Sequence, residues 1–136
     1  MKPGCGTRCL LMACKRAGLE VDRDELARMA GEENGLTNLA GLARAARQVG
    51  FRARAEAWTV TELFDHGSAL AGRTILHMHE DDGHFVLLTE VDREVVRVED
   101  PTGLEKAKTR FTRDELARAW SGKVLVLRGA PGADAC

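Results

Sequence analysis

The chain has 136 residues, a length that suits one domain and leaves little room for a second. Its formal net charge is -1 and its aromatic content is 4%, and no run of like charge stands out. This composition excludes a basic nucleic-acid surface and a base-stacking platform. The sequence also lacks an apolar run of the roughly 20 residues that cross a bilayer, and it lacks a signal-peptide core, which together favour the cytoplasm.

The first half of the chain predicts three helices. Residues 6–17 are apolar around most of a helical circumference, which is typical of a helix at the centre of a domain, and Gly18 ends it. Asp22 can cap a second helix that ends before Gly31. Residues 37–50 repeat apolar side chains at helical spacing, so a third helix is expected to begin at Thr37.

The second half predicts mainly strands. Alternating or continuous apolar patterns indicate strands at residues 51–57, 74–79, 84–91, 95–98, 106–111 and 123–127. A helical turn is expected at 60–65, and a short helix capped by Thr112 at 113–120. Helices gathered before strands predict an α+β domain with an antiparallel sheet. The Gly- and Pro-rich residues 129–136 are expected to form a flexible tail.

The four cysteines are clustered near the start of the chain. Cys5, Cys9 and Cys14 fall within ten residues, and Cys136 ends the sequence. A secreted disulfide framework would spread cysteines among loops, so reduced thiols are expected. Cys9 and Cys14 are interpreted as small buried apolar side chains.

Cys5 stands immediately before the predicted central helix. A thiol there faces unpaired backbone N–H groups and the positive end of the helix dipole, and both favour the thiolate. The thiolate is the nucleophile of cysteine enzymes. For Cys5 taken alone, a small buried side chain is an equally good interpretation.

Two further residues complete a possible catalytic set. His84 begins the most apolar strand, where it can act as general base, and Asp100 ends the next strand, where it can orient an imidazole. Taken singly, His84 can be an ordinary surface histidine and Asp100 a turn former before Pro101. Together with Cys5 they have the placement that a thiol mechanism requires.

Five segments of the sequence carry a family resemblance. In chain order they are Gly4-Cys5-Gly6 followed by residues 9–13, residues 35–51, Ile75-Leu76-His77 with residues 84–88, Glu99-Asp100-Pro101-Thr102-Gly103, and Trp120-Ser121-Gly122. They resemble the nucleophile segment, the middle helix with its following strand, the base strand, the Asp-Pro segment and the closing Trp-x-Gly of peptidase family C39. The resemblance runs in order from about residue 4 to residue 127.

This resemblance implies a papain-like α+β fold, with a peptidase domain at residues 1–128 and a tail at 129–136. It implies Cys5 as nucleophile, His84 as general base and acid, and Asp100 as the orienting carboxylate. Members of the family cut after the Gly-Gly pair that ends the leader of a bacteriocin or similar peptide, often as the cytosolic N-terminal domain of an ABC exporter. A double-glycine leader peptide and an ABC exporter are therefore the implied partners. No nucleotide, flavin or nicotinamide fingerprint is present, so no cofactor is expected.

The sequence departs from the family pattern beside the nucleophile. Gly4 stands where an Asp is usual. The family also places an oxyanion-stabilising Gln six residues before the nucleophile, whereas four residues precede Cys5 here. Removal of one oxyanion donor typically costs about 100- to 1000-fold in turnover. Either the sequence is truncated at its start, or the domain is a feeble or non-catalytic relative. We therefore expect weak catalysis from the chain as written.

Two alternatives to a peptidase remain open at this stage. A degenerate relative could keep the fold without catalysis and bind a leader peptide or an exporter substrate. A metal site is also conceivable, because His77 and His79 alternate on one predicted strand and could be joined by Cys5. The same histidines fit a strand beside an acidic turn without a metal.

Overall fold

The computed structural model describes residues 5–33, 37–79, 84–101 and 108–129. Its helices are α1 (Cys5–Arg16), α2 (Arg23–Met29), α3 (Leu39–Gln48), α4 (Val60–His66), a 3-10 turn (Gly67–Leu70) and α5 (Arg113–Ala119). Its strands are β1 (Arg52–Ala57), β2 (Thr74–Met78), β3 (His84–Val91), β4 (Val95–Glu99), β5 (Arg110–Thr112) and β6 (Trp120–Arg128). None of the described helices is long and apolar enough to cross a membrane. Nearly all of the predicted tail and part of the strand predicted at 106–111 lie outside the described residues.

Capping side chains fix the beginnings of the helices. Asp22 accepts a hydrogen bond from the backbone N–H of Glu25, and Thr112 accepts one from Glu115 as part of a capping box, so both predicted caps are confirmed. The predicted start at Thr37 is wrong by two residues. Asn38 is the cap of α3, because its side-chain oxygen accepts a hydrogen bond from the backbone N–H of Gly41, at 2.8 Å. The hydroxyl of Thr37 instead donates to the carbonyl oxygen of Ala30, at 2.8 Å.

The six strands form one antiparallel sheet in the order β1-β6-β2-β3-β4-β5. Strands β2 to β5 follow one another as neighbours, which confirms the antiparallel α+β architecture. The last strand lies between β1 and β2, and it is longer than predicted because it begins directly after α5, at Trp120.

Apolar side chains pack on both faces of the sheet. On one face, α1 and α3 cover a cluster that includes Leu10, Leu42, Ile75, Phe85, Leu87 and Leu125. On the other face, α4 and α5 cover a cluster that includes Leu63, Leu76, Val86, Val96, Leu116 and Val124. Adjacent residues of a strand point to opposite faces, which explains why the central strands are continuously apolar.

The first strand alternates in sequence like a half-buried strand, but most of its residues are exposed. In β1 Ala53 is buried, whereas Ala55 and Ala57 are exposed. β1 forms an edge of the sheet, and of its residues only Ala53 belongs to the buried cluster on the α1 and α3 face. There, Arg47 of α3 donates two hydrogen bonds to the carbonyl oxygen of Ala53, at 3.0 and 2.7 Å, which blocks part of an exposed edge.

Candidate active site

The first turn of α1 places Cys5 in the interior of the domain. Cys5 begins the helix and is 3% exposed. The next residue, Gly6, is in tight contact with its surroundings: a Cβ atom there would lie 2.9 Å from Cγ2 of Thr37 and 3.2 Å from Cδ2 of Phe85. Only a glycine lets the start of α1 approach β3 this closely, because ordinary contacts of a Cβ atom are longer.

A buried hydrogen bond ties the same turn to the segment that follows α2. Thr7 is fully buried, and its hydroxyl donates to Oε1 of Glu32, at 2.7 Å. The other carboxylate oxygen of Glu32 lies 3.9 Å from Nη2 of Arg23. These contacts hold the start of the helix in place, and nothing local in the sequence signals a pair 25 residues apart.

His84 and Asp100 meet at the end of the sheet where β3 begins and β4 ends. Strands β3 and β4 are antiparallel neighbours, so the start of one lies beside the end of the other. Nε2 of His84 lies 2.6 Å from Oδ2 of Asp100, and both side chains are almost completely buried. The predicted neighbours thus form a short, charge-assisted hydrogen bond.

The second ring nitrogen of His84 is the one left for Cys5. Because Asp100 occupies Nε2, Nδ1 remains; it is buried and has no hydrogen-bond partner of ordinary geometry among the described residues. The interaction with the Cys5 side chain, followed by the hydrogen bond and the charge of Asp100, raises the pKa of His84 to about 9, although burial of the ring acts to lower it. The imidazole is therefore protonated at neutral pH and lies between the Cys5 and Asp100 side chains. The structure brings together all three residues that the sequence singled out.

The other cysteines of α1 have a different character. Cys9 and Cys14 are fully buried. Burial, followed by the nearby Cys5, Asp100 and Glu99 side chains, raises the pKa of Cys9, and burial alone raises the pKa of Cys14 to about 11. Both remain uncharged thiols at neutral pH, and neither is in a disulfide. Their interpretation as small buried apolar side chains is confirmed.

Among the described residues, the histidines of the metal alternative do not form a metal site with Cys5. His77 lies in β2, where Nδ1 is 2.8 Å from Oγ of Ser121, whereas His79 lies beyond the end of that strand and is exposed. Across residues 5–33, 37–79, 84–101 and 108–129, no group of three His, Cys, Asp or Glu side chains could hold a metal ion. The contact of Ser121 with His77 is absent from the sequence-based expectations. The Ser-Gly pair immediately before the strand predicted at 123–127 is the signal that could have drawn attention to it.

The expectation of weak turnover concerns residues that would precede Cys5. Those residues lie outside the described part of the chain.

Comparisons with known proteins agree with one another. The model of the Peptidase C39 family matches residues 2–131. The probable microcin-H47 secretion/processing ATP-binding protein MchF of Escherichia coli is 32% identical over 130 residues, which cover 96% of this chain but only 17% of that protein. The chain therefore spans about one sixth of the length of this relative.

Two solved structures have the same fold. The peptidase domain of Streptococcus ComA, a bi-functional ABC transporter involved in quorum sensing, superposes with a TM-score of 0.79 at 24% identity, covering 94% of this chain and 91% of that domain. A double glycine motif protease from an AMS/PCAT transporter, solved in complex with its leader peptide, superposes with a TM-score of 0.76 at 20% identity, covering 93% and 85%. At these identities the superpositions establish the papain-like fold and nothing finer.

Proposed function

The chain belongs to the peptidase C39 family, and on that premise we propose that it is a cysteine peptidase that cuts a peptide after a double-glycine site. The matching family model covers nearly the whole chain. The proposal concerns the activity of this domain, since the matched relative MchF is several times longer than the chain.

In the proposed mechanism each of the three clustered residues has one role. The thiolate of Cys5 attacks the carbonyl carbon of the second glycine, and the backbone N–H of Cys5 donates to the oxyanion that forms. The imidazolium of His84 gives its proton to the leaving amine, which frees the shortened product and leaves an acyl-enzyme. Neutral His84 then takes a proton from water, whose oxygen attacks the acyl carbon, and the thiolate–imidazolium pair is restored. Asp100 holds the ring in one orientation and stabilises its charge.

The observation that carries this proposal is the state of His84. Its Nε2 atom is hydrogen-bonded to Asp100 at 2.6 Å, while the Cys5 side chain is the main cause of its raised pKa. A histidine that merely packs at a strand end has no reason to bridge a buried carboxylate and a buried thiol. Burial alone would remove its proton, so the two partners are what keep the general acid charged.

The relatives support a substrate and a setting for the reaction. MchF is described as a secretion and processing protein, and one structural neighbour was solved with a leader peptide. We extend the proposal accordingly: the substrate is a leader-bearing peptide ending in a Gly-Gly pair, and cleavage occurs on the cytoplasmic side of a membrane, in association with an ABC exporter.

The test is hydrolysis of a peptide with a Gly-Gly site by the purified chain, with the products identified by mass spectrometry. The variants Cys5→Ala and His84→Gln should each lose at least about 1000-fold in turnover. The proposed groups act as a unit, so the loss of either one removes most of the rate enhancement that the set provides. Cys14→Ala is the matched control and should cleave like the wild type. Cys14 is a buried thiol of the same helix but is not one of the three proposed catalytic residues. Hydrolysis that survives in Cys5→Ala would overturn the assignment of the nucleophile. Tight peptide binding without hydrolysis by the wild type would instead identify a docking domain.

A further inference from the structure

The active-site end of the sheet carries polar groups beyond the three residues already described. Because β6, β2, β3 and β4 are neighbours, the start of β6, the end of β2, the start of β3 and the end of β4 lie in one row. His84 and Asp100 occupy the β3 and β4 positions of that row. His77 and Ser121 occupy the β2 and β6 positions, on the other side of His84.

His77 is positioned directly beside the catalytic strand. It pairs with Phe85, the residue after His84, and the two rings meet edge to face with their centroids 5.3 Å apart. Phe85 is also a residue that the start of α1 approaches closely through Gly6. His77 packs against Phe85 and is half-buried, so it remains partly accessible to solvent.

The sheet is distorted at the point opposite His77. Pairing between β2 and β6 passes from Leu76 with Val124 to Met78 with Trp120, so residues 121–123 stand opposite His77 alone. Gly122 has a φ of +87° there. The hydroxyl of Ser121 donates to the carbonyl oxygen of His77, at 2.9 Å, in place of a backbone N–H. Bulges of this kind commonly re-aim a side chain beside an active site.

These hydrogen bonds determine which nitrogen of His77 carries the proton. The Ser121 hydroxyl has one hydrogen, which it gives to the His77 carbonyl oxygen. Toward Nδ1 of His77, 2.8 Å away, Ser121 can therefore only accept, so Nδ1 carries the hydrogen. Burial, followed by the charges of Lys123 and His79, lowers the pKa of His77, so the ring is neutral at neutral pH and Nε2 presents a lone pair.

We propose that Nε2 of His77 accepts a hydrogen bond from a backbone N–H of the peptide that lies across the Cys5–His84 pair. The bond involves an N–H within two residues of the scissile bond, where glycines leave the backbone uncovered. This inference rests on the proposed peptidase function, and it adds a substrate-binding residue on the β2 side of the site. The Ser121 hydrogen bonds and the packing on Phe85 fix the orientation of the ring, and its neutral state leaves Nε2 able to accept.

The variant His77→Asn tests the inference, because asparagine can still donate to Ser121 but does not reach as far as Nε2. It should raise KM about 3- to 10-fold, the worth of one neutral hydrogen bond, with kcat largely unchanged. His79→Asn, two residues further along the chain, is the matched control and should leave KM unchanged. Thermal melting of both variants shows whether the fold is intact. Equal KM values for the two variants, both at the wild-type level, would overturn the inference.

Modified substrates make the test specific to the peptide N–H. In a series of peptides, one non-scissile amide at a time within two residues of the cleavage site is replaced by an ester, which has no N–H. At one position the ester should raise KM for the wild type and for His79→Asn by the same 3- to 10-fold, and add nothing in His77→Asn. Ester effects that multiply with His77→Asn at every position would contradict the proposal.

The two proposals can fail separately. If the wild type does not hydrolyse the peptides, the same variants and esters are compared in the Cys5→Ala background by the dissociation constant of the uncleaved peptide. The same non-additivity is expected there. Non-additive effects on the dissociation constant, without hydrolysis by the wild type, would support the role of His77 in peptide binding and contradict the proposed peptidase activity.

Discussion

His84 and Asp100 are 16 residues apart in the chain, yet Nε2 of the first lies 2.6 Å from Oδ2 of the second. Their side chains are 11% and 10% exposed. A hydrogen bond between a cation and a carboxylate that are both shielded from water fixes the position of the His84 ring and stabilises its charge. Catalysis by His84 is therefore expected to depend on Asp100.

Asp100→Ala should reduce kcat by about 10- to 150-fold, since a hydrogen bond to a charged group contributes roughly 1.5–3 kcal/mol. Asp100→Asn should recover much of this loss, because an amide oxygen can still accept from Nε2 of His84. Steady-state kinetics on a Gly-Gly peptide measures both. Equal activity of the alanine variant and the wild type would show that the ring needs no carboxylate.

Hydrolysis should decline as the pH rises through about 9. The pKa of His84 is raised to about 9, so the proton needed by the leaving amine is present below that pH and absent above it. The alkaline limb of kcat/KM against pH reports this group in the free enzyme. In Asp100→Ala the limb should move to lower pH, because the carboxylate helps to raise the pKa. An alkaline limb near pH 6.5 in the wild type would mean that His84 behaves as an ordinary histidine.

Iodoacetamide at pH 6.5 should modify Cys5 before Cys9 and Cys14. Cys5 is paired with a protonated imidazole, whereas burial raises the pKa of both Cys9 and Cys14. Peptide mapping by mass spectrometry assigns the labelled residue. His84→Gln should slow the labelling of Cys5 without changing that of Cys14. Labelling of all three thiols at one rate would contradict the ion pair.

Gly6→Ala should impair catalysis by separating the start of α1 from β3. The new methyl group would lie 2.9 Å from Cγ2 of Thr37 and 3.2 Å from Cδ2 of Phe85, and overpacking of this kind costs about 1–3 kcal/mol. Both turnover and the free energy of unfolding should therefore fall.

Gly18→Ala is the control at the other end of the same helix. Gly18 has a φ of +79°, and a Cβ atom added there would have no atom within 4 Å, so its substitution strains the backbone by about 1 kcal/mol without shifting Cys5. It should lower stability and spare turnover. Equal turnover of Gly6→Ala and Gly18→Ala would contradict the claim that the close contact at Gly6 positions Cys5.

The elements that the sequence predicted well are those set by local chemistry. Thr112 and Asp22 act as caps because a short side-chain oxygen finds an N–H three residues away. Strand β3 was predicted with its observed bounds, since its continuous apolar pattern needs no partner to be recognised. The three candidate residues were identified because each stands at the end of such an element.

The features that the sequence did not predict depend on distant partners. The hydroxyl of Thr37 donates to the carbonyl oxygen of Ala30, and only the folded chain brings that oxygen within reach. The bulge opposite His77 arises where two strands more than 40 residues apart are paired. The link between Thr7 and Glu32 is of the same kind.

The position of β6 has a consequence for how the chain folds. Strands β1 and β2 are made early, but each pairs with β6, which is the last of the described strands to be synthesised. The sheet therefore cannot close around its centre until residues 120–128 are available, and its completion depends on contacts of high sequence separation. Such topologies fold slowly, and their open strand edges are exposed to aggregation in the meantime. A growing chain that has already produced Cys5, His84 and Asp100 still has to wait for β6 before these residues are held in a finished sheet.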